Sequence, residues 1–343
     1  MSKLYRDLLK HLDEGQSLAL ETVVRGRQGE MAQGMTRRFV PVRPITDLKG
    51  RRCATVTAEA EGDALRVGEP MLPQERLIVL GAGHIALPVC EFAAKSGFAV
   101  TVCDDRPDFA NRQRFPDAEN VICDSFENAI RSLKLTPYDY VVIITRGHRH
   151  DADCLRVILP GTQPAYLGMI GSRRRVKGLF EMLEEEGYDR ALMDRICTPI
   201  GLNIGAVTPG EIAISILSEV VAYKRLPEHS NDGIRCCNDS DVEMSTLRYL
   251  AENDEPKAIV TVIETKGSTP REAGAKMAVS PLGKVTGSIG GGCSEGAVIR
   301  DAIRIIGTGR YQLVDIDLTG DVAESDGMVC GGTMQVLIED GCL

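Results

Sequence analysis

Three glycine-rich stretches hold the residues best suited to chemistry. Gly287-Ser288-Ile289-Gly290-Gly291-Gly292-Cys293-Ser294-Glu295 is preceded by Gly267-Ser268-Thr269-Pro270-Arg271 and followed by Cys330-Gly331-Gly332. Glycine takes positive φ readily and lets a ligand come close to the backbone. Consecutive glycines make a poor strand or helix interior, so a loop is expected at 290–292. From Ala297 to Ile306 the apolar residues recur at helical spacing. Cys293 and Ser294 are therefore expected where a loop enters a helix. Unpaired N–H groups and the helix dipole favour an anion there, and a thiol should titrate below its ordinary value. The plainer reading is that glycine loops turn corners and an intracellular cysteine is a small buried hydrophobe. Three such loops in one segment, one with Arg beside Pro and two with a Cys, favour a ligand site. It would hold an anion, present a thiolate, or both.

A second set of candidates lies mid-chain. Arg76-Leu77-Ile78-Val79-Leu80 is a continuous apolar run leading into Gly81-Ala82-Gly83-His84-Ile85-Ala86, followed by an apolar helix to Lys95. Strand, glycine turn and helix together form the setting of the dinucleotide fingerprint. The next strand, Ala99 to Cys103, ends at Asp104-Asp105. A carboxylate there can bind a ribose hydroxyl pair and repels a 2′-phosphate, which favours NAD over NADP. Val141 to Thr145 runs into Arg146-Gly147-His148-Arg149-His150-Asp151, at the sheet edge where open α/β folds bind ligands. A metallohydrolase His-x-His-x-Asp-His pattern fails, because Ala152 and Asp153 stand in its last places. Anion or cofactor contact by Arg146, His148 and Arg149 is the expectation; a polar helix start near an Asp151 cap is the alternative. Gly171-Ser172-Arg173-Arg174-Arg175 offers Ser172 as a cap and three arginines that oppose the helix dipole. A phosphate or carboxylate partner would explain them, as would a solvated basic face.

These residues need elements to position them. Between Arg76 and Ile170 strands alternate with helices, which implies a doubly wound parallel sheet. Thr208-Pro209-Gly210-Glu211 is a strong start for a helix over Ile212 to Tyr223. At the N-terminal side a helix at Tyr5–Leu12 precedes a strand at Leu18–Val24, with further strands at Arg38–Val42, Arg52–Ala58 and Ala64–Val67. The same order returns late, with a helix bearing Leu247 and Leu250 and a strand at Ala258–Thr265. Matching Glu21-Thr22 to Glu264-Thr265 gives a degenerate internal repeat. Its first copy reads Arg27-Gln28-Gly29-Glu30 where the second reads Ser268-Thr269-Pro270-Arg271, and has no Gly-Gly-Gly-Cys loop or following helix. The chemistry is expected in the second copy.

The fold class is thus α/β, with a central Rossmann-like sheet flanked by N- and C-terminal α+β segments. Expected domains are 1–74, 75–228, a linker at 229–241 containing Cys236-Cys237, and 242–343. The 343 residues are 43% hydrophobic and 26% charged, ordinary for a soluble globular protein. No run reaches membrane-span length and no basic-then-apolar signal opens the chain, so a cytoplasmic location is expected. A net charge of -9 argues against nucleic-acid or membrane-surface binding. Eleven cysteines without a Cys-x-x-Cys pair fit a reducing compartment and no metal site.

In combination the motifs resemble one family, the xanthine dehydrogenase accessory factors (XdhC/CoxI). Lys266 to Arg271, Gly274-Ala275-Lys276-Met277, Gly290 to Glu295 and Cys330-Gly331-Gly332 are similar to its signature domain. Gly81 to His84, Asp104-Asp105-Arg106, Thr145 to His148, Gly168 to Ser172 and Thr208-Pro209 look like its Rossmann domain. In the usual arrangement the signature domain comes first; here the well-formed copy follows the Rossmann block and a degenerate copy holds the usual place. The resemblance implies a cofactor-insertion chaperone rather than a catalyst. It would carry molybdenum cofactor (molybdopterin), assist its sulfuration and deliver it to a molybdenum hydroxylase such as xanthine dehydrogenase or an aldehyde oxidoreductase. Implied partners are that client, a cysteine desulfurase-type sulfur donor, cofactor-synthesis proteins and a second copy in a homodimer, with NAD(P) as a further cofactor.

The residue chemistry suits that role. Molybdopterin has a phosphate and a dithiolene, so Ser268, Thr269, Gly290, Gly291, Gly292, Ser294 and Glu295 become cofactor contacts and Arg271 a bidentate phosphate partner. Cys293 is expected as the functional thiol, with Cys330 in support, because soft thiolates hold metal or pass sulfur. Gly81, Gly83, His84, Asp104, Arg146, His148, Ser172 and Arg173 are expected as contacts in the Rossmann block. The rival classes are an NAD-dependent oxidoreductase and a non-catalytic nucleotide sensor. No tyrosine has a lysine four residues on, so a short-chain-type catalytic pair is missing from the first.

Overall fold

Arg76–Leu80 has no polar face below its first residue, and such a run is stable as a strand only when covered on both sides. In a computed structural model, which describes residues 1–25, 34–43, 45–46, 52–62, 64–226, 237–318 and 331–342, it is the middle strand of a five-stranded parallel sheet. The strand order is 166–169, 139–143, 76–80, 99–104, 120–123. Helices Ala86–Lys95 and Pro209–Arg225 cover one face, packing Val89, Ala93, Ile216 and Val220 on Leu77, Val79, Val100 and Val142. On the other face, helices Phe126–Leu133, His148–Ile158 and Arg173–Glu185 bury Ile130, Leu155 and Phe180 against Ile78, Leu80 and Val141. This is the expected α/β, doubly wound arrangement. The order reverses between 76–80 and 139–143, which puts the switch point beside Gly81.

Local chemistry sets the helix starts. The Thr208 side chain accepts from the Glu211 N–H while Glu211 accepts from the Thr208 N–H, a complete capping box with Pro209 in the first turn. Ser172 Oγ accepts from the Arg175 N–H, as expected of it. The helix anticipated from Asp151 begins earlier, at His148, with Gly147 at its cap. His148 and His150 therefore sit in its first turn and Asp151 turns inward, 1% exposed.

The chain divides into two compact units. The Rossmann-like sheet and its helices form one, with residues 74–237 making up nearly all of it. Met1–Asp47, Cys53–Pro73 and Asn238–Leu343 form the other, so both terminal segments share one unit. Its two larger sheets are antiparallel. One has the order 35–41, 18–25, 64–71, 57–61; the other runs 285–287, 276–279, 258–266, 333–340, 311–317. The helices Ser2–Asp13 and Met244–Glu252 pack together, and Tyr5, Leu8, Leu12 and Leu20 share a core with Leu247, Leu250, Ile259 and Ala278. Among the described residues no helix is long and apolar enough to cross a membrane.

The repeat read from the sequence is present in the strand order, with one change of register. Thr22 lies opposite Arg37 and Val67, and Thr261 lies opposite Lys276 and Leu337. Thr22 therefore matches Thr261, not Thr265. The shared Glu-Thr pair is a short coincidence, and a bulge between Val262 and Glu264 separates it from the regular ladder.

Candidate functional site

The strand Ala258–Lys266 is apolar but for Thr261 until its last residues, so it crosses the sheet buried and surfaces at Lys266. There the chain turns at Gly267, with φ +78. A Cβ on Gly267 would come within 3.1 Å of the Gly331 and Gly332 backbone, and one on Gly332 within 2.6 Å of the Lys266 and Ser268 carbonyls. A Cβ on Gly290, at φ +133, would collide with the Pro270 ring. The three glycine-rich stretches thus meet, and their glycines are required because backbone lies against backbone at Gly267 and Gly332 and against the Pro270 ring at Gly290. Gly291, at φ +73, caps the helix Gly292–Ile305, so Cys293 and Ser294 stand in its first turn. The side chains of Cys293 and Ser294 and all of Cys330 lie outside the described residues.

Around this junction the polar groups are largely engaged with one another. Ser288 Oγ accepts from the Gly290 N–H at 3.0 Å. Glu295 folds back from the first turns of the helix, and its carboxylate accepts from the Ile289 N–H at 3.3 Å. A carboxylate there answers the helix dipole from within the protein, and an incoming anion would replace it. Arg271 donates to Asp241 at 2.6 Å and to Glu243 at 2.8 Å. Hydrogen bonding to Asp241 holds its guanidinium above the ordinary value. Phosphate pairing through Arg271 would therefore be an exchange of carboxylates for phosphate. Ser268 is exposed, whereas the Thr269 hydroxyl is buried and has no hydrogen-bond partner among the described residues. A buried orphan hydroxyl calls for an explanation, and a ligand oxygen would supply one. A cavity of about 380 Å³ opens beside the strand ends, lined by Glu264, Thr265, Lys266, Asp315, Asp317 and Thr333 among others.

The remaining predicted residues lie on the other unit, at the carboxyl ends of four of its strands. Gly81 has φ +114, and a Cβ on it would come within 2.5 Å of the Ile144 carbonyl across the switch point. His84, Arg146, His148, Ser172 and Arg173 are exposed, and Gly83 has open space around it. Asp104 is 1% exposed and accepts from the Ala82 N–H at 2.9 Å and from Arg106 Nε at 2.8 Å. This carboxylate braces the glycine turn, so a ribose hydroxyl pair binding it would compete with Arg106. Arg146 makes a forked pair with Asp105, and that hydrogen bonding holds the Asp105 carboxyl down at about 2.

Asp151 and Lys276 are among the buried ionic groups that the sequence did not place. Asp151 accepts from Thr145 Oγ1 and from Arg175, both at 2.6 Å, which gives Arg175 a structural purpose. Burial nonetheless pushes the Asp151 carboxyl above its ordinary value, against the pull of both partners. Lys276, legible in the sequence only as part of a motif, is 2% exposed and pairs with Glu69. A charged residue at an inward position of an otherwise apolar strand was the available signal. Among the described residues no group of three or more His, Cys, Asp or Glu could hold a metal ion.

Comparison with known proteins agrees with this layout. Residues 77–220 match the XdhC Rossmann domain, and residues 250–317 match the XdhC and CoxI family. The "Uncharacterized protein YqeB" of Escherichia coli is 36% identical over 151 residues, 43% of this chain and 27% of that protein. A probable xanthine dehydrogenase subunit of Bacillus subtilis is 31% identical over 153 residues, 45% of this chain and 44% of that one. The molybdenum cofactor insertion chaperone PaoD of Escherichia coli is 32% identical over 74 residues, 21% of this chain and 23% of PaoD. These matches span less than half the length of each curated relative. A crystal structure described as a xanthine dehydrogenase from Bacillus halodurans shares the fold, with a TM-score of 0.52 at 24% identity over 68% of this chain and 69% of that one. With a Rossmann unit and a signature unit both matched, the chain belongs to the XdhC and CoxI family.

Proposed function

We propose that this protein is a maturation factor that holds molybdenum cofactor and hands it to a molybdenum hydroxylase, as a carrier rather than a catalyst. The observation that carries this reading is the meeting of three glycine-rich loops at the first turn of helix 292–305. Unpaired N–H groups at a helix start suit a phosphate, the close-lying glycines admit a ligand to the backbone, and the orphan Thr269 hydroxyl offers one more donor. The family match and the likeness to the chaperone PaoD support the same cargo.

Within this reading the Gly290–Ser294 turn holds the cofactor's phosphate, and Glu295 swings away as it binds. Cys293 is the functional thiol, which holds the metal end or passes sulfur, and Cys330 supports it. Sulfur would come from a cysteine desulfurase-type donor, and the client is a xanthine dehydrogenase or an aldehyde oxidoreductase. Nucleotide binding at Gly81 to Gly83 is a separate expectation, checked by titrating NAD into the purified chain.

The test is to express the chain in cells that make molybdopterin, purify it and assay the oxidised pterin by fluorescence. The wild-type chain should retain pterin and Gly290→Val should lose it while keeping its circular dichroism. A wild-type chain that emerges free of pterin from such cells would overturn the reading. Cys293→Ala should fold and yet fail to activate the client; full activation would remove Cys293 from the scheme.

A further inference from the structure

The buried charges that the proposed chemistry does not use fall into a reciprocal pattern. Lys276, on strand 276–279, pairs with Glu69, on strand 64–71, at 2.6 Å. Arg37, on strand 35–41, pairs with Glu339, on strand 333–340. The ladder registers show these to be one contact made twice. Arg37 lies opposite Thr22 as Lys276 lies opposite Thr261. Glu69 lies opposite Leu20 as Glu339 lies opposite Ile259. The basic position of each half therefore meets the acidic position of the other. That is the signature of a two-fold, self-complementary interface, in which residue i meets j and j meets i.

The apolar contacts repeat the pattern. Leu8 and Leu247, Leu20 and Ile259, and Phe39 and Ala278 are matched positions, and each pair packs within one shared core. Val24 with Ile263 and Val67 with Leu337 do the same in another. All the positions on the first helix, first strand and second strand are related by one constant displacement along the chain.

The outer faces differ as sharply as the inner ones agree. In the C-terminal half, helix 292–305 lays Val298, Ala302 and Ile305 on a face that includes Val260, Met277 and Val336. The N-terminal positions matching those three are Glu21, Arg38 and Arg66 by register. They form ion pairs, Arg38 to Glu21 at 2.6 Å and Arg66 to Glu21 at 2.9 Å. In the sequence, the shorter stretch 42–56 between the matched strands corresponds to 281–311, which holds the glycine loop and helix. The N-terminal sheet face is thus composed for water, not left open for a missing helix.

We infer that the N-terminal half is a permanent second copy that completes the C-terminal half from within the same chain. The face on which a second chain's signature half would sit is filled in cis, and each chain carries one glycine-loop cradle. Strand register and buried pairs carry this, so it stands apart from the identity of the cargo.

Cross-linking of the full chain tests it. Arg6 and Asp254 are both exposed and lie 3.6 Å apart, one in each half. In an R6C/D254C chain a short bis-maleimide should join the two cysteines within one chain. The product should run as a monomer in denaturing electrophoresis, with the 6–254 peptide found by mass spectrometry. A covalent dimer linked through 6 and 254 would overturn the inference. Charge exchange gives an independent reading that also covers a misfolding variant. Glu69→Lys and Lys276→Glu alone should each lower the melting temperature, and the two together should recover much of the loss. No recovery in the double variant would count against the reciprocal interface.

Discussion

At the residue scale, burial and ionic pairing decide which groups can react. Burial pushes the Cys103 thiol up to about 12 and the Cys90 and Cys197 thiols up to about 11, and it also raises Cys154. A thiol at the start of helix 292–305 should be shifted the other way. Iodoacetamide at neutral pH is expected to label Cys293 ahead of these four; peptide mass spectrometry of timed samples would reveal equal labelling if the cradle does not activate it. The Asp105 carboxyl, held at about 2 by hydrogen bonding to Arg146, sets a pH effect of definite sign. Its folded value lies below the ordinary ~3.9. The pair's contribution to stability is therefore complete above about pH 4 and is lost as pH falls through about 2. Arg146→Gln should return the Asp105 titration towards ~4 by NMR, and an unmoved titration would show that something else holds it down.

At the scale of elements, close approaches and buried pairs dominate. Gly81→Ala meets both positive φ and the Ile144 carbonyl. It should cost at least about 1–3 kcal/mol by strain alone, measured as a loss in urea unfolding of the Rossmann-like unit. Lys276→Met leaves Glu69 buried without its partner, an expected loss of about 3–5 kcal/mol. Lys276→Met combined with Glu69→Leu should be far milder, because both charges have gone together. A double variant as unstable as the single one would mean that the pair itself, and not the stranded charge, is what matters.

At the scale of the whole molecule, the two terminal segments share cores, and neither buries its apolar face alone. A fragment beginning at Asn238 would expose Ile259, Ala278, Ile263 and Leu337, which lie against residues of the first segment. It is expected to lack cooperative unfolding by circular dichroism, and to gain it when residues 1–73 are supplied. The Rossmann-like sheet was legible in advance because continuous apolar strands, glycine turns and capped helices are local signals. The union of the two ends was not, because it depends on contacts between residues far apart in the chain.

The amino-acid order by itself determined the strand–turn–helix alternation, the glycine-rich loops, the start of helix 292–305 and the family resemblance. Each follows from neighbours within a few residues, where backbone freedom and apolar spacing act directly. Only the tertiary structure decided that the three loops meet and that Asp104, Asp151 and Arg271 are held by internal partners. It also decided that Thr22 corresponds to Thr261, and not to Thr265, in the register of the repeat. Side-chain pairing and strand register are settled by long-range packing, and a local pattern such as Glu-Thr cannot report which face or partner a residue will find.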